Sequence, residues 1–212
     1  MMISVLQLSD RRCEMKNLKE KTDSELVMLS LKDPDHFGQL VDRYEKKLSR
    51  YAWRISGLDA ESLEDILQET FIKTYLNLND YNNDFSFSSW IYKITHNETV
   101  SYLRKNKKLI TVPLETEDEK QSSLIEVLKN EIDVEAETRQ RDIVSRIQKA
   151  MDMLPDKYRE VLVLRYSEDM DYREISDILK MPMGTVATTI NRAKEKFKEV
   201  AKKMHLNTQN DG

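Results

Sequence analysis

A chain of 212 residues with only four glycines and four prolines has few means of making the frequent tight turns that a β-sheet requires. Where those residues do fall, they bracket helical patterns. Asp33-Pro34-Asp35 precedes Phe37, Leu40, Val41, Tyr44, Leu48, Tyr51, Ala52 and Ile55, an apolar face at helical spacing that Gly57 stops. A shorter helix with Leu26, Val27 and Leu29 comes before it, and Asp23 and Ser24 are its expected caps. A third helix runs from near Asp59 to about Leu78 on a stripe of Leu63, Leu67, Thr70 and Thr74, widened by Ile66 and Phe71. Its opposite face gathers Asp65, Gln68, Glu69 and Ile72. An acidic face is commonly only solvated, but an isoleucine in the middle of this one points to a protein partner.

The stretch from Asn77 to Ser89 is rich in Asn, Asp and Ser and reads as a loop. Tyr81, Phe85 and Phe87 among those amides have the make-up of a single-strand nucleic-acid site, with rings to stack on bases and amides to read their edges. Phe87, beside the next helix, is expected in the core instead. Ser88 or Ser89 is the expected cap of a helix from Trp90 to Leu103, whose basic end Arg104–Lys108 can meet phosphates or satisfy the helix C-terminus.

Between Leu109 and Thr138 the periodicity disappears. Glu115, Glu117, Asp118, Glu119, Glu126, Glu131, Asp133, Glu135 and Glu137 face only Lys120 and Lys129, which describes an acidic linker of low hydrophobicity. It accounts for the net charge of −4 in a chain that otherwise carries basic clusters. Beyond it, Ile143, Ile147, Ala150, Met151 and Leu154 mark a helix that Pro155 interrupts, and Tyr158, Val161, Leu162 and Tyr166 mark the next.

The last segment reads as two helices joined by a tight turn. Asp171 caps the first, with Glu174 placed to reach back to the free amides and Ile175, Ile178 and Leu179 as the buried stripe. Pro182 and Gly184 break the pattern, and Thr185 is the expected N-cap of a second helix with Val186, Ile190, Ala193, Phe197 and Val200 on its apolar face. Thr188, Asn191 and Arg192 lie opposite, flanked by Lys194, Lys196 and Lys198. A short helix, a glycine-bearing turn and a polar, basic second helix describe a DNA-reading helix-turn-helix.

The expected fold is therefore all-α, two small helical domains joined by an acidic flexible linker. The domains are placed at 23–108 and 139–205 and the linker at 109–138, with a disordered lead at 1–22 and a disordered tail at 206–212. Met1, Met2 and Met15 are each possible starts. No run is apolar enough to span a membrane and the N-terminus lacks a secretory core. Cys13 stands alone, which excludes an intramolecular disulfide and suits a cytoplasmic setting. His36, His96 and His205 lie far apart, without metal-ligand spacing, and are expected at the surface or at helix ends. No nucleophile stands beside a base and no Gly-rich phosphate loop occurs, so neither an enzyme nor a cofactor is expected.

Four motifs in order carry a resemblance: Asp65-Ile-Leu-Gln-Glu-Thr-Phe71; Phe87-Ser-Ser-Trp-Ile-Tyr-Lys-Ile94 with Asn97 and Leu103-Arg104; Leu154-Pro-Asp-Lys-Tyr-Arg-Glu-Val161; and Gly184-Thr-Val186 through Arg192-Ala193. From about Asp23 to Met204 the chain resembles the extracytoplasmic-function (group IV) sigma factors of bacterial RNA polymerase. The resemblance implies that Asp65, Gln68, Glu69 and Ile72 dock on the clamp of the polymerase largest subunit, with a further contact to the flap region. It implies that Asn79, Tyr81, Asn82, Asn83, Phe85, Trp90, Lys93, Asn97, Arg104 and Lys105 open and read the minus-ten element. It implies that Thr185, Ala187, Thr188, Asn191, Arg192 and Lys196 read the minus-thirty-five element. The family often has basic residues where Ala187 and Thr189 stand here, which shifts the expected reading onto Thr188, Asn191 and Arg192. The implied partners are core polymerase, promoter DNA and an anti-sigma factor, and no small-molecule substrate. The alternative is an autonomous helix-turn-helix regulator, which leaves the docking face and aromatic loop without a use.

Overall fold

The computed structural model describes residues 20–107 and 137–204, and all the regular structure among them is helical. The first unit consists of α1 (Asp23–Lys32), α2 (Phe37–Ser56), α3 (Ala60–Leu76) and α4 (Phe87–Lys107). The second consists of α5 (Glu137–Asp152), α6 (Asp156–Leu162), α7 (Tyr172–Leu179) and α8 (Met183–Lys203). Cys13, His205, Lys108, the two chain ends and the acidic stretch up to residue 136 lie outside the described residues.

The first unit follows the stripes of its sequence. Leu40, Tyr44, Leu48, Tyr51, Ala52 and Ile55 of α2 are buried, and Gly57 ends the helix in the left-handed region (φ 66°). Leu63, Ile66, Leu67, Thr70 and Thr74 of α3 are buried against α4 and α2. Phe87 and Ile91 of α4 complete the core, and Phe87 packs edge-on to Tyr44 at 5.5 Å. Truncating one such side chain to alanine typically costs ~2–5 kcal/mol.

Three caps differ from expectation for a local reason. α1 is capped by Thr22 and not by Asp23 or Ser24, because Thr22 and Glu25 form a reciprocal pair: the Glu25 amide donates to Thr22 Oγ1 (3.3 Å) and the Thr22 amide to the Glu25 carboxylate (2.8 Å). Asp23 is thereby free to accept from Arg43 (2.5 Å) and from the Tyr44 hydroxyl. α4 opens at Phe87 with Ser86 as its cap, not Ser88 or Ser89; the Ser89 amide donates to Ser86 Oγ at 3.1 Å, and Ser89 itself is buried. α8 opens at Met183 after Pro182, whose restricted φ suits a helix start. Thr185 therefore lies inside the first turn, its amide bonded to the Pro182 carbonyl at 2.8 Å. The left-handed pivot between α7 and α8 is Lys180 (φ 52°), so Gly184 is not the residue that turns the chain.

In the second unit the core is Leu164, Ile175, Ile178, Val186 and Ile190. The capping box of Asp171 and Glu174 forms as the sequence expects. Two stripe residues do not bury. Tyr166 is exposed because Val163–Ser167 is a single π-helical turn, closed by the Glu168 amide on the Val163 carbonyl, which widens the helix and rotates Tyr166 outward under Lys194. Ile147 is likewise exposed, while its neighbour Gln148 turns inward.

The two units touch at the end of α2. The carbonyls of its last turn have no partner within the helix, and the second unit supplies donors: Arg159 Nη1 to Ile55 O at 3.0 Å and Gln148 Nε2 to Arg54 O at 3.4 Å. A guanidinium is favourable at this negative end of the helix dipole. α7 then lies across the N-terminal half of α4.

Candidate functional site

Three surfaces carry the residues singled out by the sequence. On α3, Asp65, Gln68, Glu69 and Ile72 are all exposed, as four outward positions one helical turn apart must be. Ile72 is 53% exposed and Leu76, one turn further on, 71%. The patch is thus longer than the sequence reading made it. The i, i+4 spacing from Ile72 is the sequence signal that extends the face to Leu76. Glu69 pairs with Lys73 at 3.1 Å and Lys73 reaches on to Glu98 of α4 at 2.7 Å, so the acidic face is tied to the helix behind it. Those two carboxylates raise the Lys73 pKa.

The second surface is the loop between α3 and α4 with the outer side of α4. Asn79 lies in a 3₁₀ turn, Leu78–Asp80, and is exposed. Asn82 is occupied within the loop: its Oδ1 accepts from the Asp84 amide at 2.9 Å and its Nδ2 donates to the Asp84 carboxylate at 3.2 Å. Asn83 is exposed. The rings divide. Tyr81 is a packing residue, stacked obliquely on Trp90 (5.4 Å) and edge-on to Phe87 (5.5 Å), with its hydroxyl donated to Phe85 O at 2.7 Å. Trp90 is half-buried in the same cluster. Phe87 is in the core, as expected, and Phe85 is left as the open ring, 41% exposed.

Trp90, Lys93, Asn97 and Arg104 are spaced by three, four and seven residues and so line one face of α4. Lys93 and Asn97 are half-buried; Arg104 and Lys105 are exposed, about 17 Å further along the axis from Lys93. The Lys93 ammonium pairs with Asp177 of α7 at 2.6 Å. Beneath this face His96 is not a surface residue. Its Nδ1 lies 3.1 Å from the Tyr51 hydroxyl, and burial, aided by the nearby Lys180, lowers its pKa to about 4. The imidazole is therefore neutral at physiological pH, and Tyr51, itself fully buried, stays a phenol. Nothing in the sequence around His96 announces this, because its partner Tyr51 lies on α2 and the nearby Lys180 on the second unit, both distant along the chain.

The third surface is α8. Thr185, Thr188, Asn191, Arg192 and Lys196 are exposed and Ala187 is half-buried, which places the five polar residues on the side away from Val186, Ile190 and Ala193. Thr188 donates its hydroxyl to the Gly184 carbonyl at 2.9 Å, leaving its oxygen lone pairs outward. Asn191, Arg192 and Lys196 share a shallow recess with Tyr158, Glu195 and Glu199. Lys196 and Glu199 pair at 2.8 Å, an exposed contact that contributes little and yields easily to a phosphate.

Among the described residues no group of His, Cys, Asp and Glu is arranged to hold a metal ion, and no helix is long and apolar enough to cross a membrane. Residues 40–109 match the family model for Sigma-70 region 2 and residues 145–197 that for Sigma-70, region 4. The ECF RNA polymerase sigma factor SigW of Bacillus subtilis (strain 168) is 32% identical over 168 residues, 79% of this chain and 89% of that protein. The ECF RNA polymerase sigma-E factor of Escherichia coli (strain K12) is 30% identical over 182 residues, 84% of this chain and 93% of that protein. CnrH, solved in complex with the cytosolic domain of CnrY, shares the fold with a TM-score of 0.62 at 22% identity, covering 86% of this chain and 98% of that one. The sigma factor RpoE of Bartonella quintana, solved with the anti-sigma factor NepR, gives a TM-score of 0.60 at 20% identity, covering 78% of this chain and 96% of that one.

Proposed function

We propose, since this chain belongs to the extracytoplasmic-function sigma factors of bacterial RNA polymerase, a division of its work among the three surfaces. The protein binds core polymerase and directs it to promoters, and it performs no chemistry of its own. In this reading Asp65, Gln68, Glu69 and Ile72, extended by Leu76, are the docking face for the polymerase clamp. Phe85, Asn79, Asn83, Lys93 and Asn97, backed by Trp90 and Tyr81 and continued by Arg104 and Lys105, take the minus-ten strand. Thr185, Thr188, Asn191, Arg192 and Lys196, with Ala187 among them, enter the major groove at the minus-thirty-five element. The functional units correspond to residues 23–108 and 139–205, joined by the acidic stretch 109–138.

One observation supports the docking assignment above the others: two large apolar side chains, Ile72 and Leu76, stand open on a face otherwise made of acids and an amide. A solvated face gains nothing from them, whereas a protein partner buries them, and such anchors dominate interface energetics. An anti-sigma partner fits the structural neighbour RpoE, solved with the anti-sigma factor NepR, and envelope or stress genes fit the relatives' family. The place of action is the cytoplasm, where polymerase is.

Reconstitution tests the reading. Core polymerase with this chain should start transcription at a promoter that core alone ignores. Arg192→Ala should relax preference at one or two upstream base pairs, about 1–3 kcal/mol of discrimination each. Equal weakening on every sequence would make Arg192 a phosphate contact instead. Tight sequence-specific binding of duplex DNA by the chain without polymerase would favour an autonomous regulator.

A further inference from the structure

The rings around the loop before α4 lead away from it, to a helix that none of the three surfaces includes. Tyr44 of α2 packs edge-on to Phe87 at 5.5 Å. Phe87 lies 5.5 Å from Tyr81 and 5.7 Å from Trp90, and the Tyr81 hydroxyl donates to Phe85 O at 2.7 Å. These rings form one apolar cluster with a hydroxyl at each end. At the far end the Tyr44 hydroxyl donates to the carboxylate of Asp23, in the first turn of α1. Arg43 fastens the same point, donating from Nη1 to Asp23 at 2.5 Å and from Nη2 to the Lys21 carbonyl at 2.9 Å. Ser24, the next residue of α1, lies against the Tyr81 hydroxyl. α1 also touches both the 3₁₀ turn at which the loop starts and α4 at which it ends.

The polar ends give this cluster what packing alone does not. Hydrophobic contact is non-directional, whereas a hydrogen bond needs its donor and acceptor in line. Tyr44 is 3% exposed, and burial together with the Asp23 carboxylate holds its hydroxyl above the usual phenol range, so Tyr44 stays the donor. A phenylalanine there would fill the same space without needing a partner. The pair of Tyr44 and Asp23 therefore adds orientation more than volume.

We propose that Asp23 is a positioning residue for promoter opening. Through Tyr44 and Phe87 it fixes the pose of the ring cluster, and with it the direction in which the ring of Phe85 stands open. In this role Asp23 meets no base itself. The inference rests on Phe85 being a reader of the melted minus-ten strand.

Holoenzyme assembled with variant chains tests this, with permanganate reactivity of thymines near the start site as the measure of opening. Asp23→Ala and Tyr44→Phe should each reduce opening about fivefold, while closed-complex formation and use of a pre-melted template stay normal. Tyr44→Phe deletes one oxygen and keeps the ring, so it serves should Asp23→Ala fail to fold. Val27→Ala is the control, since it loosens the packing of α1 in the core without altering the bonds of Asp23. It should lower thermal stability at least as much as Tyr44→Phe and leave opening at the wild-type level. An equal loss of opening in Val27→Ala would make Asp23 a residue that merely holds α1 in place, and overturns the proposal. The route is tested in a Phe85→Ala background, where Asp23→Ala should have no further effect because no ring is left to orient. A loss that adds in full to that of Phe85→Ala overturns the route through the ring. Normal opening in Asp23→Ala or Tyr44→Phe, with Phe85→Ala impaired, overturns the positioning role and leaves the minus-ten reading standing. Normal opening in Phe85→Ala overturns that reading, and the proposal with it.

Discussion

The outer face of α3 and the N-terminal half of α4 belong to one helical unit, yet the structure treats them oppositely. The α3 face offers carboxylates around Ile72 and Leu76 and stays open. The α4 face offers donors and a ring and is covered by α7. Charge explains the difference. A row of donors is a good site for any carboxylate within reach, and the second unit has three. An acidic face with a small apolar patch attracts no such neighbour in a chain of net charge −4. Which of the two faces stays open and which is covered thus follows the sign of the surface.

The largest effect should come from the open face. Ile72→Glu removes an apolar anchor and puts an unpaired charge into the proposed interface, which typically costs a few kcal/mol. Binding to core polymerase should fall by about a hundredfold or more, with unchanged circular dichroism and an unchanged distance between the units. A distance change would show that the two faces are not independent.

Next in size is a pH effect that belongs only to the covered face. His96 titrates at about 4 in the folded chain against 6.5 as its ordinary value. Above pH 6.5 both folded and unfolded forms are neutral and the residue has no effect. As pH falls from 6.5 to 4 the unfolded chain takes up a proton that the folded chain does not, so stability drops, on the order of 3 kcal/mol in all, and then levels off. His96→Gln should flatten that stretch of the stability curve. Following the ring by NMR sharpens the comparison, since Arg54→Glu should raise the His96 pKa as Lys180 and the cover move away. A pKa that stays near 4 in that variant would mean the first unit alone buries the ring.

Smaller is the loss expected from Phe85→Ala, about 1–3 kcal/mol of stacking on one base. Permanganate reactivity of thymines near the start site should decrease, while a pre-melted template is used normally and thermal stability is unaffected. The smallest change is Tyr81→Phe, which deletes the bond to Phe85 O and should lower stability by about 1 kcal/mol. If Tyr81→Phe impairs opening as strongly as Phe85→Ala while leaving stability intact, Tyr81 is a reader and not the loop's anchor.

The periodic segments were legible from residues alone. The stripe from Phe37 to Ile55, its stop at Gly57 and the capping box at Asp171 are local in origin, so the sequence expresses them directly. Outward positions follow by geometry once a helix is placed, which is why Asp65, Gln68, Glu69, Ile72, Asn191 and Arg192 emerge exposed. Caps were harder, since Thr22, Asp23 and Ser24 are all good formers and only the partner residue Glu25 chooses among them. The π-helical turn that expels Tyr166 has no periodic signature of its own.

By itself the sequence determined the class of fold, the number of helical units and the face each helix turns outward, because these depend on contacts a few residues long. Tertiary structure alone decided what lies against what across long separations. Lys93 and Asp177, Arg54 and Glu168, and Ser86 and Glu174 are charged or polar residues that look equally solvated along the chain. Which of them meet is fixed by the docking of α7 on α4 and of Arg159 on the end of α2, an arrangement set by the shapes of two packed cores and by no local pattern.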